Sequence, residues 1–221
     1  MSVKKGFKTV AKINLPLCSE VDSARKYLEN RKLDASKFYY ADKFKEFCNS
    51  YKKTYDTIGR DEPRIVIPLY QNDNLIGFQG RAIEKKSVPK YLTVMINEEA
   101  PKIYGFDTIN KKLPVYVVEG PFDSTLVSNS IAMCGADADV RKWGVTDPIW
   151  IYDNEPRNHE IVKRISTTID RGERVVIWPN NIHEKDINDM VLSGHNIMNV
   201  LESNTHTGLQ AKIKFNNWKK V

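Results

Sequence analysis

VYVVEGPFDS, residues 115–124, decides the fold. Four apolar residues run without alternation and end at Glu119. An unbroken apolar run of that length predicts a strand covered on both faces. The pattern then repeats. IAMCG (131–135), PIWIYD (148–153) and RVVIW (174–178) read as further strands. FDSTLVSNS (122–130), HEIVKRISTTID (159–170), DINDMVLSG (186–194) and NIMNVLES (196–203) read as helices between and after them. Apolar strands alternating with helices imply a mainly parallel sheet flanked by helices, an α/β class. Ligands of such sheets sit beyond the carboxyl ends of the strands, where Glu119 and Asp153 fall.

Acids recur at those ends. IYDNEP (151–156) supplies Asp153 and Glu155, two apart on an extended segment, so both side chains leave the same face. KDINDM (185–190) adds Asp186 and Asp189. Carboxylate oxygens are the ligands hard cations prefer, and Mg²⁺ takes one or two from protein and the rest from water and phosphate. The three clusters therefore predict a phosphoryl-transfer site. A single carboxylate in a loop is ordinarily just solvated. Asp123, one turn past Glu119, reads equally as a helix N-terminal acid or as support for the site.

Composition sets the frame. A chain of 221 residues with 41% hydrophobic residues can bury a sizeable core, which excludes wholesale disorder. No stretch approaches the roughly 18 apolar residues of a membrane span, and MSVKKGFKTV (1–10) lacks a signal-peptide core, so a cytoplasmic protein is expected. Cys18, Cys48 and Cys134 are widely spaced, form no CxxC, and predict neither disulfides nor a ribbon-type zinc site. The net charge of +6 is uneven: residues 1–64 carry 15 basic and 9 acidic residues, and the rest carry 19 of each. A basic region beside an acid-clustered one suits a polyanion lying near a metal site, though lysine-rich faces also merely keep proteins soluble.

Upstream of the sheet, 1–18 reads as an irregular lead-in, 19–33 and 41–53 as amphipathic helices, and 56–63 as a linker. RIVIPLY (64–70), QNDN and LIGFQGRAI (75–83) form a hairpin pattern, followed by VPKYLTVMI (88–96). The expected organisation is a basic helical region (1–63), a hairpin subdomain (64–112), the acid-bearing α/β domain (113–204) and a basic tail (205–221), with a closing strand as the plain reading of the tail.

EGPFDS, YDNEP and KDIND in that order resemble the three-part acidic signature of the TOPRIM fold, shared by bacterial-type primases, type IA and type II topoisomerases and some nucleases. The family's middle motif is Asp-x-Asp; here it is Asp153-Asn154-Glu155, which keeps the oxygens. RIVIPLYQNDNLIGFQGRAI, PKYL and IYGF resemble the segment that precedes TOPRIM in replicative primases. With DNEPRNHEIVKRI, GERVVIW and GLQAKIKFNNWKKV the likeness narrows to phage primases of the T-even type over residues 15–221.

That resemblance implies a TOPRIM catalytic domain with a smaller basic N-terminal α+β subdomain. It implies a nucleotidyltransferase that makes short RNA primers from ribonucleoside triphosphates on a single-stranded DNA template, in the cytoplasm of an infected bacterial host. Mg²⁺, with Mn²⁺ as substitute, is the implied cofactor, and no zinc is expected in this chain. Asp153, Glu155 and Asp186 take metal roles with Asp189 in support, and Glu119 is either a metal ligand or the general base. Arg81, Lys90 and Tyr91 line the path of template and nucleotide, and Lys102, Arg157 and Lys185 are candidates for phosphate contact. Gly80 would let a backbone approach closely. The implied partner is a replicative hexameric helicase, as in a primosome. The family carries a zinc-binding module at its N-terminus that this sequence does not show, so either this is the catalytic part alone or the module is a separate polypeptide. A TOPRIM nuclease and a non-catalytic single-stranded DNA or helicase adaptor are the alternative readings.

Overall fold

The computed structural model describes residues 13–84, 86–135 and 139–221, so most of the lead-in expected over 1–18 lies outside the described residues. The chain forms two compact units, one of residues 1–27 with 34–102 and one of residues 28–33 with 103–221.

In the first unit, α1 (Asp22–Glu29, whose last two residues already belong to the second unit) and β1 (Tyr39–Ala41) precede α2 (Phe44–Tyr51). Then come β2 (Arg64–Gln71), β3 (Asn74–Ala82) and β4 (Tyr91–Met95). The four strands form an antiparallel sheet in sequence order. The hairpin read from sequence closes at Asn72 (φ 52°) and Asp73 (φ 59°). A two-residue hairpin turn needs positive φ at both positions, and short Asn and Asp side chains bear it best. A register shift at Leu69/Tyr70, opposite Gly77 and Leu75, adds a bulge. Phe44, Phe47 and Cys48 of α2 are buried as the apolar spacing predicts. The Phe47 and Phe78 rings lie 4.8 Å apart, and Phe44 meets Phe78 edge-on at 6.3 Å. Each such burial contributes roughly 1.5–3 kcal/mol. Gly80 does permit a close approach, but the visitor is Phe44: a Cβ there would stand 2.3 Å from its Cζ.

The second unit holds β5 (Ile103–Tyr104), β6 (Val115–Val118), α3 (Pro121–Ser124), β7 (Ser130–Met133) and β8 (Pro148–Trp150). It continues with α4 (His159–Asp170), β9 (Arg174–Val176), α5 (Ile187–Leu192), α6 (Ile197–Asn204), β10 (Thr205–His206) and α7 (Gly208–Trp218). The sheet order is β10-β9-β8-β6-β7-β5. β6 through β9 pair in parallel, and β5 and β10 are antiparallel edges. All four residues of β6 are buried, as its unbroken apolar run requires. Trp150 and Trp178 are core residues. The three cysteines are buried and unbridged.

Two expectations change. FDSTLVSNS is one helical turn, because Ser130 returns at once to the sheet and its hydroxyl bonds Ser124 Oγ (2.9 Å) and the Ser124 carbonyl (2.7 Å). The tail contributes a two-residue strand, β10, and then a helix rather than a closing strand. Ala211, Phe215 and Trp218 are buried at i, i+4 and i+7 of that helix. His206 is buried in β10.

Residues 28–33 join the second unit through Asn188 of α5. Arg31 Nη1 donates to Asn188 Oδ1 (3.0 Å), Asn188 Nδ2 donates to the Arg31 carbonyl (2.7 Å), and Lys32 Nζ donates to the Val191 carbonyl (3.0 Å).

Candidate active site

The parallel strands deliver their acids to one end of the sheet. Glu119 follows β6, Asp123 rides on the single turn of α3, and Asp153 and Glu155 follow β8. Asp186 caps α5, its Oδ1 accepting from Asp189 N–H at 2.8 Å, and Asp123 Oδ1 accepts from Asn188 N–H at 3.0 Å. Burial pushes the Asp123 carboxyl up to about 7, and the charges of Asp186, Asp153 and Asp189 add to it while the Asn188 N–H opposes. Burial likewise raises Asp153 to about 6; Lys185 opposes this, and Asp186 and Glu155 reinforce it. Asp123, Asp153, Asp186 and Asp189 thus repel one another across a partly dehydrated site. Asp123 lies within the electrostatic reach of the other acids, the second of the two readings its sequence position allowed.

Cations stand against two parts of this cluster. Lys185 Nζ lies 3.0 Å from Glu155 Oε2 and 3.7 Å from Asp153 Oδ2. Arg164 Nη1 of α4 lies 2.5 Å from Glu119 Oε1. Nothing local to Arg164 in the sequence announces this partner. Asn154, the variable position of the middle motif, is a clasp. Its N–H donates to the Lys185 carbonyl (2.7 Å) and its Nδ2 to the carbonyls of Ile182 (3.0 Å) and Glu184 (3.1 Å). Its Oδ1 accepts from Trp218 Nε1 (2.9 Å), so the tail tryptophan braces the acid loops from α7.

Among the described residues no three carboxylate, imidazole or thiolate groups converge to hold an ion by themselves. The donor chemistry nevertheless fits a hard divalent ion that draws one or two carboxylates and completes its shell from water and phosphate. The Asp123 and Asp153 carboxyls, raised first by burial and further by their acidic neighbours, carry charge that such an ion would neutralise.

The other candidates fall as follows. Arg157 is exposed just past β8, on the loop into α4. In the first unit, Arg81 of β3 is only 4% exposed, its guanidinium 4.6 Å from the Tyr91 ring centroid and hydrogen-bonded to the Tyr91 hydroxyl. Tyr91 is half-buried, and Lys90 and Lys102 are exposed. Arg64, unremarked in the sequence, is the post behind Lys90 and Tyr91. Buried at 2% exposure, it donates to the carbonyls of Gly80 (3.1 Å), Pro89 (3.0 Å) and Lys90 (3.4 Å), and pairs with Glu62. Glu62 in turn accepts from Ser87 Oγ at 2.7 Å.

Solved structures share this architecture. The RNA polymerase domain of Mycobacterium tuberculosis primase DnaG, in complex with a double-stranded DNA oligomer with a 6-nucleotide overhang, superposes with a TM-score of 0.66 at 18% identity, covering 88% of this chain and 76% of that one. The Escherichia coli primase catalytic core gives 0.61 at 17% identity, covering 89% and 76%. The primase fragment of the bacteriophage T7 primase-helicase protein gives 0.51 at 15%, covering 81% and 70%. The fold is therefore that of TOPRIM primase cores. No profile of a known protein family matches the sequence. Sequence similarity goes further than fold: the chain is 34% identical over 229 aligned positions to the DNA primase of Enterobacteria phage T4, across 94% of its own length. It is a relative of that phage primase and spans 65% of its length.

Proposed function

We propose that this chain is a DNA primase catalytic subunit, joining ribonucleoside triphosphates on single-stranded DNA into short RNA primers. The observation that carries this reading is the acid cluster at the carboxyl ends of β6 and β8 and the start of α5, in a chain related to a phage primase. A divalent ion, Mg²⁺ by its ligand preference, would lower the charge barrier between an attacking 3′ hydroxyl and the α-phosphate. Asp153, Glu155 and Asp186 would hold it, with Asp189 supporting through the α5 cap and Asp123 sharing its charge inside the cluster. Glu119 completes the acid set. Lys185, which pairs with Glu155 and Asp153, would meet triphosphate oxygens if a bound ion took over those carboxylates, and Arg157 lies on the loop that follows the same strand.

In the first unit, exposed Lys90 and Lys102 supply positive charge for phosphates, and the Tyr91 ring offers a face for a base. Arg81 serves this by stiffening Tyr91 from beneath rather than by reaching solvent. A hexameric helicase and a separate zinc module are the partners this reading calls for.

Primer synthesis on single-stranded DNA with Mg²⁺ and labelled ribonucleotides, with and without helicase and a zinc module in trans, tests it. Short RNA products are expected, and Glu119→Gln and Asp153→Asn should each abolish them while the chain still folds. Near-normal incorporation by either variant would sink the site assignment. DNA binding without product in every mixture would point to an adaptor, and template cleavage to a nuclease.

A further inference from the structure

Arg164 enters the site from outside the acid motifs, and three contacts fix it there. Its Nη1 meets Glu119 Oε1 at 2.5 Å. Its guanidinium lies 4.8 Å from the centroid of the Tyr152 ring. Tyr152 is buried, and its hydroxyl pairs with Thr168 Oγ1 at 2.8 Å. Thr168, one turn further along α4, is itself fully buried, and its Oγ1 donates back to the Arg164 carbonyl at 3.0 Å. The circuit from Arg164 through Thr168 and Tyr152 back to the guanidinium leaves the arginine little rotamer freedom. A planar guanidinium stacked on a ring and hydrogen-bonded to a carboxylate transfers that rigidity to its partner, which a lysine does not do. Tyr152 also directly precedes Asp153, so one buried ring braces the cation beside Glu119 and the backbone that carries Asp153.

We propose that Arg164 is a positioning residue for Glu119, held by Tyr152 and Thr168, and that it orients the Glu119 carboxylate for the acid site's divalent ion. This rests on the primase reading of that site. Two effects of Arg164 on ion binding have opposite signs, which makes the proposal decidable. As a bare positive charge it would repel a cation, so its loss would tighten binding. As an orienting group it preorganises a ligand, so its loss weakens binding.

The test is Mn²⁺ titration of the full chain without DNA or nucleotide, read by electron paramagnetic resonance, alongside turnover. Arg164→Gln is expected to weaken Mn²⁺ binding about tenfold, the lower range for groups that orient metal ligands. Turnover should fall with it while KM for nucleotide holds. Tyr152→Leu, which changes no charge, should weaken binding in the same direction. Unchanged or tighter binding in a folded Arg164→Gln overturns the proposal. Should that variant fail to fold, Arg164→Lys decides. A lysine that keeps full Mn²⁺ affinity overturns it, because a point charge would then suffice, and a weakened one supports it. Asp153→Asn separates the two readings: Mn²⁺ affinity retained in that variant brings down the acid site itself, whereas affinity lost there but retained in Glu119→Gln overturns the Arg164 proposal alone.

Discussion

At the scale of single residues, Asp123 has the most consequential environment. Its carboxyl titrates near 7 when folded, against a usual value near 3.8. The folded chain therefore holds this proton over a pH window in which the unfolded chain has released it. Stability must fall as pH rises from about 4 to about 7, because the unfolded state binds fewer protons throughout. Asp153, raised to about 6, pushes the same way over a narrower window. Thermal melts of the ion-free protein should show a melting temperature that drops between pH 5 and pH 7.5, and Asp123→Asn should flatten that slope. Saturating Mg²⁺ should flatten it too, since an ion that binds the deprotonated carboxylates of the folded state adds more stability as pH rises. An equal slope in wild type and Asp123→Asn would refute the assignment. The acids themselves were legible in the sequence, because strand ends and acidic residues are both local patterns. Arg164 and Arg64 were not. Glu119 lies 45 positions from Arg164, and the carbonyls that Arg64 holds lie 16 or more positions from it, separations that no local spacing encodes.

At the scale of elements, α2 and β3 meet where Gly80 leaves room for Phe44. A methyl group there would stand 2.3–2.8 Å from three ring carbons in a fully buried setting. Gly80→Ala should cost about 1–3 kcal/mol, the usual range for overpacking. Denaturant titration checks this, and Phe44→Leu in the same chain should recover part of the loss, which it would not do for an unrelated backbone effect. Element type was readable wherever the apolar period was strong, as in β6 and α4. It misled where tertiary demands overrode it: α3 stops after one turn because Ser130 must reach the sheet beside β6. The helix of the tail was readable in Ala211, Phe215 and Trp218, yet a short basic segment ending in NNWKKV invites a looser reading. Trp218 shows why the tail is ordered: its indole N–H is spent on Asn154. Asn154→Ala should therefore loosen α7 and the 182–185 loop together, visible as faster amide exchange in both.

At the scale of the whole molecule, charge is the property to test. The basic excess lies in residues 1–64, and the remainder is balanced. If that excess engages a single-stranded template, affinity should decline steeply with salt, the logarithmic slope approaching about −0.7 for each phosphate neutralised. Fluorescence anisotropy between 50 and 200 mM salt reads this slope. An affinity indifferent to salt would remove the basic region from template binding.

The Asn188 clasp carries one more consequence, which concerns the order of synthesis. Arg31 leaves the ribosome 157 residues ahead of the asparagine it will grip. At roughly 5–20 residues per second, the interval is on the order of ten seconds. During that time the hairpin sheet can close around Phe44 and Phe78 while the turn after α1 still waits for its second-unit partners. The nascent chain must therefore keep an early segment accessible until a late one arrives, and a single cut at 102/103 yields a C-terminal piece from which that early segment is missing.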